Sequence, residues 1–219
     1  IGGVYRMTDY VYDIAQLFFH LGLEQAPIIG HSLGGAITLN FAGAFPDKVT
    51  KLIAIEGLGL SPESMKKRSK DSTPEKMQKW VEQMRGVAGR LPRRYDTIEE
   101  AASRMHEANA HLSEDQAWHL TVHGVNQNED GTYSWKFDNY VRVDRPFGLS
   151  PDEIRDFWRN IDCPTLLVRG TESWASDPSK DGRAENFKNA RVENIERAGH
   201  WVHHDRLDAF MPMTREFLG

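Results

Sequence analysis

The most restrictive stretch of this chain is Gly30-His31-Ser32-Leu33-Gly34-Gly35, because of what flanks it. Before it, Ala26-Pro27-Ile28-Ile29 leads into Gly30 as a short apolar run of buried-strand character. After it, Ala36 to Phe45 is small and apolar, spaced for a helix that Pro46 ends. A second buried strand, Val49 to Ile55, follows directly. Upstream, Val11, Ile14, Ala15, Leu17, Phe18 and Leu21 recur at helical spacing, with Thr8 as predicted N-cap and Gly22 as the stop. Helix, strand, helix, strand in this order predicts parallel strands joined by crossover helices.

That rhythm covers residues 1–60, breaks over 61–160, and resumes over 161–219. In the middle segment, Thr73-Pro74, Thr97 with Glu100, Ser113 with Gln116 and Ser150 with Glu153 announce helix starts. Asp130-Gly131 followed by alternating Tyr133, Trp135 and Phe137 predicts a hairpin or extended segment. In the last segment Pro164 to Val168 and Arg191 to Ile195 read as strands, and Asp181 to Asn189 and Leu207 to Phe217 as helices. The expected architecture is an α/β core interrupted by a mainly helical cap insertion of roughly 100 residues.

Between a strand and a helix, G-x-S-x-G has a physical meaning. A tight turn holds Ser32 in a strained conformation with its oxygen pointing off the sheet, and Gly30 and Gly34, lacking Cβ atoms, let backbone approach closely. The helix that follows aims its first amides at the same place, so the Leu33 N–H becomes a predicted oxyanion donor. Ser32 then requires a base. Of nine histidines, His200 stands out, because it follows Gly199 in a loop after the last predicted strand. His203 and His204 raise a metal reading, but Asp205 is the only near further ligand and adjacent helical residues point apart. No metal or cofactor is therefore expected. His31 is expected to be structural, with a backbone or water partner. For the carboxylate that orients His200, Glu56 at the end of the second strand competes with Glu172 and Asp177 after the third.

Composition narrows the function classes. Lys plus Arg number 27 against 32 Asp plus Glu, a net charge of −5, which excludes a protein devoted to phosphate backbones; no nucleic-acid partner is expected. The segment Ser61 to Tyr95 is locally basic at +6, read as solvated helix faces. One cysteine, Cys163, closes no internal disulfide, and no apolar run is long enough for a membrane span. A cytoplasmic protein acting on a small-molecule acyl substrate is the expectation.

Taken together, the GHSLGG turn, Ile-Glu-Gly-Leu-Gly after the second strand, Arg-Gly-Thr-Glu-Ser-Trp after the third, and Ala-Gly-His-Trp-Val-His-His-Asp resemble the α/β-hydrolase superfamily. Within it the chain is most similar to the serine hydrolase-like proteins and their bacterial relatives. The resemblance implies hydrolysis through an acyl-enzyme, with Ser32 standing where dehalogenases and epoxide hydrolases carry Asp. In the usual family pattern the acid lies three residues after the glycine that ends the seventh strand, and Ser173 occupies that position here. Some members carry the acid after the sixth strand instead, which matches Glu56 and favours it over Glu172 and Asp177. The resemblance also implies a second oxyanion donor from a loop that has no counterpart in these residues. The chain is therefore expected to be the C-terminal part of a larger enzyme, lacking roughly 60 residues or more. The alternatives are a noncatalytic binding or scaffold protein on the same fold, or another acyl chemistry: thioesterase, amidase, C–C hydrolase or perhydrolase.

Overall fold

The computed structural model describes residues 5–68, 70–144 and 148–219. In chain order the elements are α1 (Met7–Leu21), β1 (Ala26–His31), α2 (Leu33–Ala44), β2 (Val49–Ile55), α3 (Pro62–Arg68), α4 (Thr73–Val87), α5 (Ile98–Ala108) and α6 (Glu114–Gly124). They continue with β3 (Val125–Gln127), β4 (Tyr133–Trp135), α7 (Pro151–Asn160), β5 (Thr165–Gly170), β6 (Ala190–Ile195), α8 (Val202–Asp205) and α9 (Leu207–Leu218). The chain divides into two compact units, Arg6–Ser72 with Phe147–Gly219, and Ile1–Tyr5 with Thr73–Pro146.

The first unit is built on a parallel four-stranded sheet in the order β1-β2-β5-β6. Successive side chains on a strand point to opposite faces, and both faces here are apolar. On β2 and β5, Leu52, Ala54 and Leu167 pack with Leu39, Phe41 and Trp158 from α2 and α7. The alternate residues Ile53, Ile55, Leu166 and Val168 pack with Val202 and Phe210 from α8 and α9. Leu39, Leu52, Ile53 and Leu166 are fully buried. Each such side chain contributes about 1.5–3 kcal/mol. Two covered faces explain why these strands read as continuous apolar runs and not as alternating ones.

Local differences from the sequence reading have identifiable causes. Helix α1 begins before Thr8, because the Asp9 carboxylate accepts from the Arg6 N–H (3.2 Å) and makes Arg6 the N-cap. Helix α2 begins at Leu33 and not at Ala36, because the Ser32 carbonyl already accepts the Ala36 N–H (3.1 Å). The helix expected over 181–189 is only a 3-10 turn, Ala184–Asn186. There Gly182 has a positive φ, and the buried Arg183 is drawn away to Asp181, Ser176 and the Gly59 carbonyl.

The second unit has its own small core of Tyr95, Ala101 and Val125, backed by Ile98, Tyr133 and Trp135. Strands β3 and β4 form the hairpin expected around Asp130-Gly131, with Phe137 beyond its end. The Ser113–Gln116 pair forms a complete capping box, as does Ser150–Glu153 in the first unit. At Thr97 only half of one forms, because Glu100 turns its carboxylate to the Asp96 N–H. Among the described residues no helix is long and apolar enough to cross a membrane.

Candidate active site

Three loops at the carboxyl ends of β1, β2 and β6 converge within the first unit. The parallel ladder carries the chain up to each turn: the Ser32 N–H donates to the Ile55 carbonyl and the Glu56 N–H to the Val168 carbonyl, both at 2.8 Å. Ser32 and Glu56 then adopt positive φ values of 54° and 52°. Among the described residues the only other non-glycine residue with positive φ is Arg197, in the turn leading to His200. Such conformations cost of order 1–3 kcal/mol each and persist only where the surrounding structure enforces them.

Close packing is what enforces the Ser32 turn. A Cβ at Gly30 would lie 2.5 Å from the Gly34 carbonyl oxygen, and one at Gly35 would lie 2.7 Å from the Gly57 Cα. Gly34, expected to be one of the two sterically required glycines, has open space where its Cβ would be. The requirement falls on Gly35, because that residue is the one facing the loop after β2.

His200 Nε2 lies 2.9 Å from Ser32 Oγ, and His200 Nδ1 lies 3.4 Å from Glu56 Oε2. An ionised carboxylate only accepts, so in the neutral ring Nδ1 carries the proton and Nε2 is free to accept from the serine hydroxyl. The Glu56 side chain has no exposure to solvent and His200 has 20%. A buried carboxylate needs donors. Glu56 has them: the Gly170 N–H on Oε1 (2.8 Å), and Ser173 Oγ (2.9 Å) together with His200 on Oε2.

The His200 loop is held from three sides. The Gly199 N–H donates to Asp205 (2.8 Å), and His31 Nε2 donates to the His200 carbonyl at the same distance, the backbone partner expected for His31. A Cβ at Gly170 would lie 2.2 Å from the Gly199 carbonyl oxygen, so the loop can sit on the end of β5 only against a glycine. Burial pushes the His31 ring below its ordinary titration range. His203, edge-on to His31 and tilted against His204, is pushed down to about 4, first by burial and then by the neighbouring imidazoles. Its Nδ1 is buried without a hydrogen-bond partner. Among the described residues no group of three or more His, Cys, Asp or Glu is arranged to hold a metal ion.

Asp177 is engaged with other partners. Asp177 accepts from Ser179 (2.6 and 3.0 Å) and Asn194 (3.1 Å), with Lys180 at 3.7 Å. Glu172 is exposed, and its N–H donates to the Ala198 carbonyl. Leu33 opens α2 beside Ser32, where first-turn amides have no intrahelical acceptor.

Residues 3–207 match the family described as the alpha/beta hydrolase fold. The chain belongs to the α/β-hydrolase family. Among curated relatives of this hydrolase, the esterase YbfF of Escherichia coli is 25% identical over 204 residues, covering 90% of this chain and 68% of that protein. A serine hydrolase-like protein of Danio rerio is 22% identical, covering 99% of this chain and 68% of that protein. Among solved structures, the hypothetical protein PA1622 of Pseudomonas aeruginosa superposes with a TM-score of 0.81 at 24% identity, covering 98% of this chain and 73% of that one. The relatives support a hydrolase, and the parallel sheet with its crossover helices is the fold they share.

Ser173, Gly170 and Asp205 were not singled out as contributors by sequence reasoning. The signal for Gly170 was present, as a glycine closing a buried strand. Ser173 was marked only as standing at the family's usual acid position, and its bond to Glu56, far away in the sequence, was not foreseen.

Proposed function

We propose that this α/β hydrolase is a serine hydrolase that cleaves an ester or similar acyl bond in a small-molecule substrate. Ser32 Oγ attacks the acyl carbon while its proton passes to His200 Nε2. The Leu33 N–H is one donor to the oxyanion that forms. On collapse, His200 returns the proton to the leaving group, and the acyl group remains on Ser32. Water then attacks, giving a proton to His200 Nε2, and the acid leaves as the Ser32 hydroxyl is restored. Glu56 stays ionised throughout, orienting the ring through Nδ1 and stabilising its positive form.

The observation that carries this reading is the unbroken chain Ser32 Oγ–His200–Glu56 at 2.9 and 3.4 Å, anchored on a buried carboxylate. The positive φ at both Ser32 and Glu56 supports it. A reducing, cytoplasmic setting belongs to the same reading, since Cys163 is free and buried. A fluorophosphonate probe tests the assignment: the folded full-length protein is expected to be labelled at Ser32. Absence of labelling, or labelling that survives Ser32→Ala, overturns it.

A further inference from the structure

The loop after β5 holds a hydroxyl that the proposed chemistry does not use. Ser173 Oγ accepts the Ala175 N–H at 3.2 Å and donates to Glu56 Oε2 at 2.9 Å. The amide occupies a lone pair of the hydroxyl, which leaves its proton for the carboxylate. That same Oε2 is the oxygen facing His200 Nδ1, while Oε1 is held by the Gly170 N–H. The carboxylate is fully enclosed, so each donor takes a larger share of its charge than it would in water.

We propose that Ser173 is a positioning residue that fixes the Glu56 carboxylate and sets how much of its charge reaches His200. This rests on Glu56 being the orienting acid. Two donors on one oxygen divide its accepting capacity, and the serine is the nearer, at 2.9 against 3.4 Å. Removing the hydroxyl has two consequences. The carboxylate keeps the Gly170 anchor but loses the bond that stops Oε2 from swinging, so the His200 ring is held less firmly. The remaining charge on Oε2 also falls on Nδ1–H alone, which stabilises the imidazolium. Reactivity of Ser32 requires the neutral ring, so the acidic limb of its pH profile moves to higher pH. A serine that only packed the loop would change stability and leave that limb in place.

The rate of fluorophosphonate labelling at Ser32, measured against pH in the full-length protein, reads both consequences. Ser173→Ala is expected to label about tenfold more slowly at neutral pH, with the acidic limb raised by about half a pH unit. Ser173→Cys, nearly isosteric with a weaker donor, is expected to shift the limb in the same direction and serves if the alanine variant folds poorly. Ser173→Thr, which keeps the hydroxyl, is expected to restore the parent profile. A limb unmoved in both Ser173→Ala and Ser173→Cys overturns the proposal, whatever happens to the rate. Glu56→Gln, run alongside, separates the two readings. If it slows labelling strongly while the Ser173 variants match the parent, only the positioning role fails. If Glu56→Gln labels at the parent rate, the role of Glu56 fails and that of Ser173 with it.

Discussion

The turns after β1 and β2 present the same backbone problem with different local sequences. Each strand ends on a ladder hydrogen bond of 2.8 Å, and each is followed by a non-glycine residue at positive φ, Ser32 at 54° and Glu56 at 52°. Gly35 and Gly57 bring the two turns into backbone contact. Yet Ser32 sits inside a glycine pattern legible at sight, whereas Glu56 is one acid among 32 acidic residues. The difference lies in what each side chain needs. Ser32 must sit on a strained turn, and that demand falls on its immediate neighbours. Glu56 must be buried and supplied with donors, and those come from Gly170, Ser173 and His200, all distant in the chain.

Substitutions at the two turns test whether they act as one unit. The largest effect is expected at the first: Ser32→Ala lowers kcat by roughly 10⁴- to 10⁶-fold in a steady-state ester assay. At the second, Glu56→Gln keeps the shape but loses the charge, and a fall of roughly 10³- to 10⁴-fold is expected. Glu172→Gln and Asp177→Asn are expected to stay within about threefold of the parent, since Glu56 already holds the Nδ1 side of His200. A large loss in either would move the acid away from the β2 turn.

The adjacent glycines Gly34 and Gly35 should respond differently, since only Gly35 meets the second turn. Gly35→Ala drives a Cβ into the Gly57 backbone and is expected to cost about 1–3 kcal/mol in a denaturation midpoint. Gly34→Ala meets open space in the first turn of α2 and is expected to be neutral or to stabilise by about 0.5 kcal/mol. Equal losses at both positions would show that the close approach is not what shapes the turn.

A smaller effect concerns the histidine cluster behind the turns. The His203 ring titrates near 4 in the folded protein and at its ordinary 6.5 when unfolded. Between those values the unfolded state binds more protons, so folding stability is intact above pH 6.5 and is lost as pH falls towards 4. His203→Phe removes this titration. It is expected to lose about 2 kcal/mol less stability than the parent across that window, measured by urea unfolding at several pH values. Parallel curves for the two proteins would contradict the burial of His203 as the cause.

Much of the fold was legible in advance. The run at 49–55 became β2 because a strand covered on both faces needs a continuous apolar sequence, whereas the run at 26–30 became a strand, β1, that is only half covered, with Ile29 exposed. Capping boxes at Ser113 and Ser150 appeared as read, since both partners are local. The expectation for 181–189 failed for the opposite reason. Arg183 finds its partners in the loops after β2 and β5, and those bonds outweigh local helical preference.

The amino-acid sequence by itself determined the class of the chain and the placement of Ser32 on a tight strand–helix turn. Those depend on periodicity, on small residues and on neighbours a few positions apart. Only the tertiary structure decided that Gly35 and not Gly34 is sterically required, that His200 reaches Ser32, and that Glu56 faces His200 Nδ1 while Asp177 binds Ser179 and Asn194. A carboxylate's surroundings come from whichever strands lie beside it. In a parallel sheet those neighbours are joined by long crossovers, so local sequence carries no record of them.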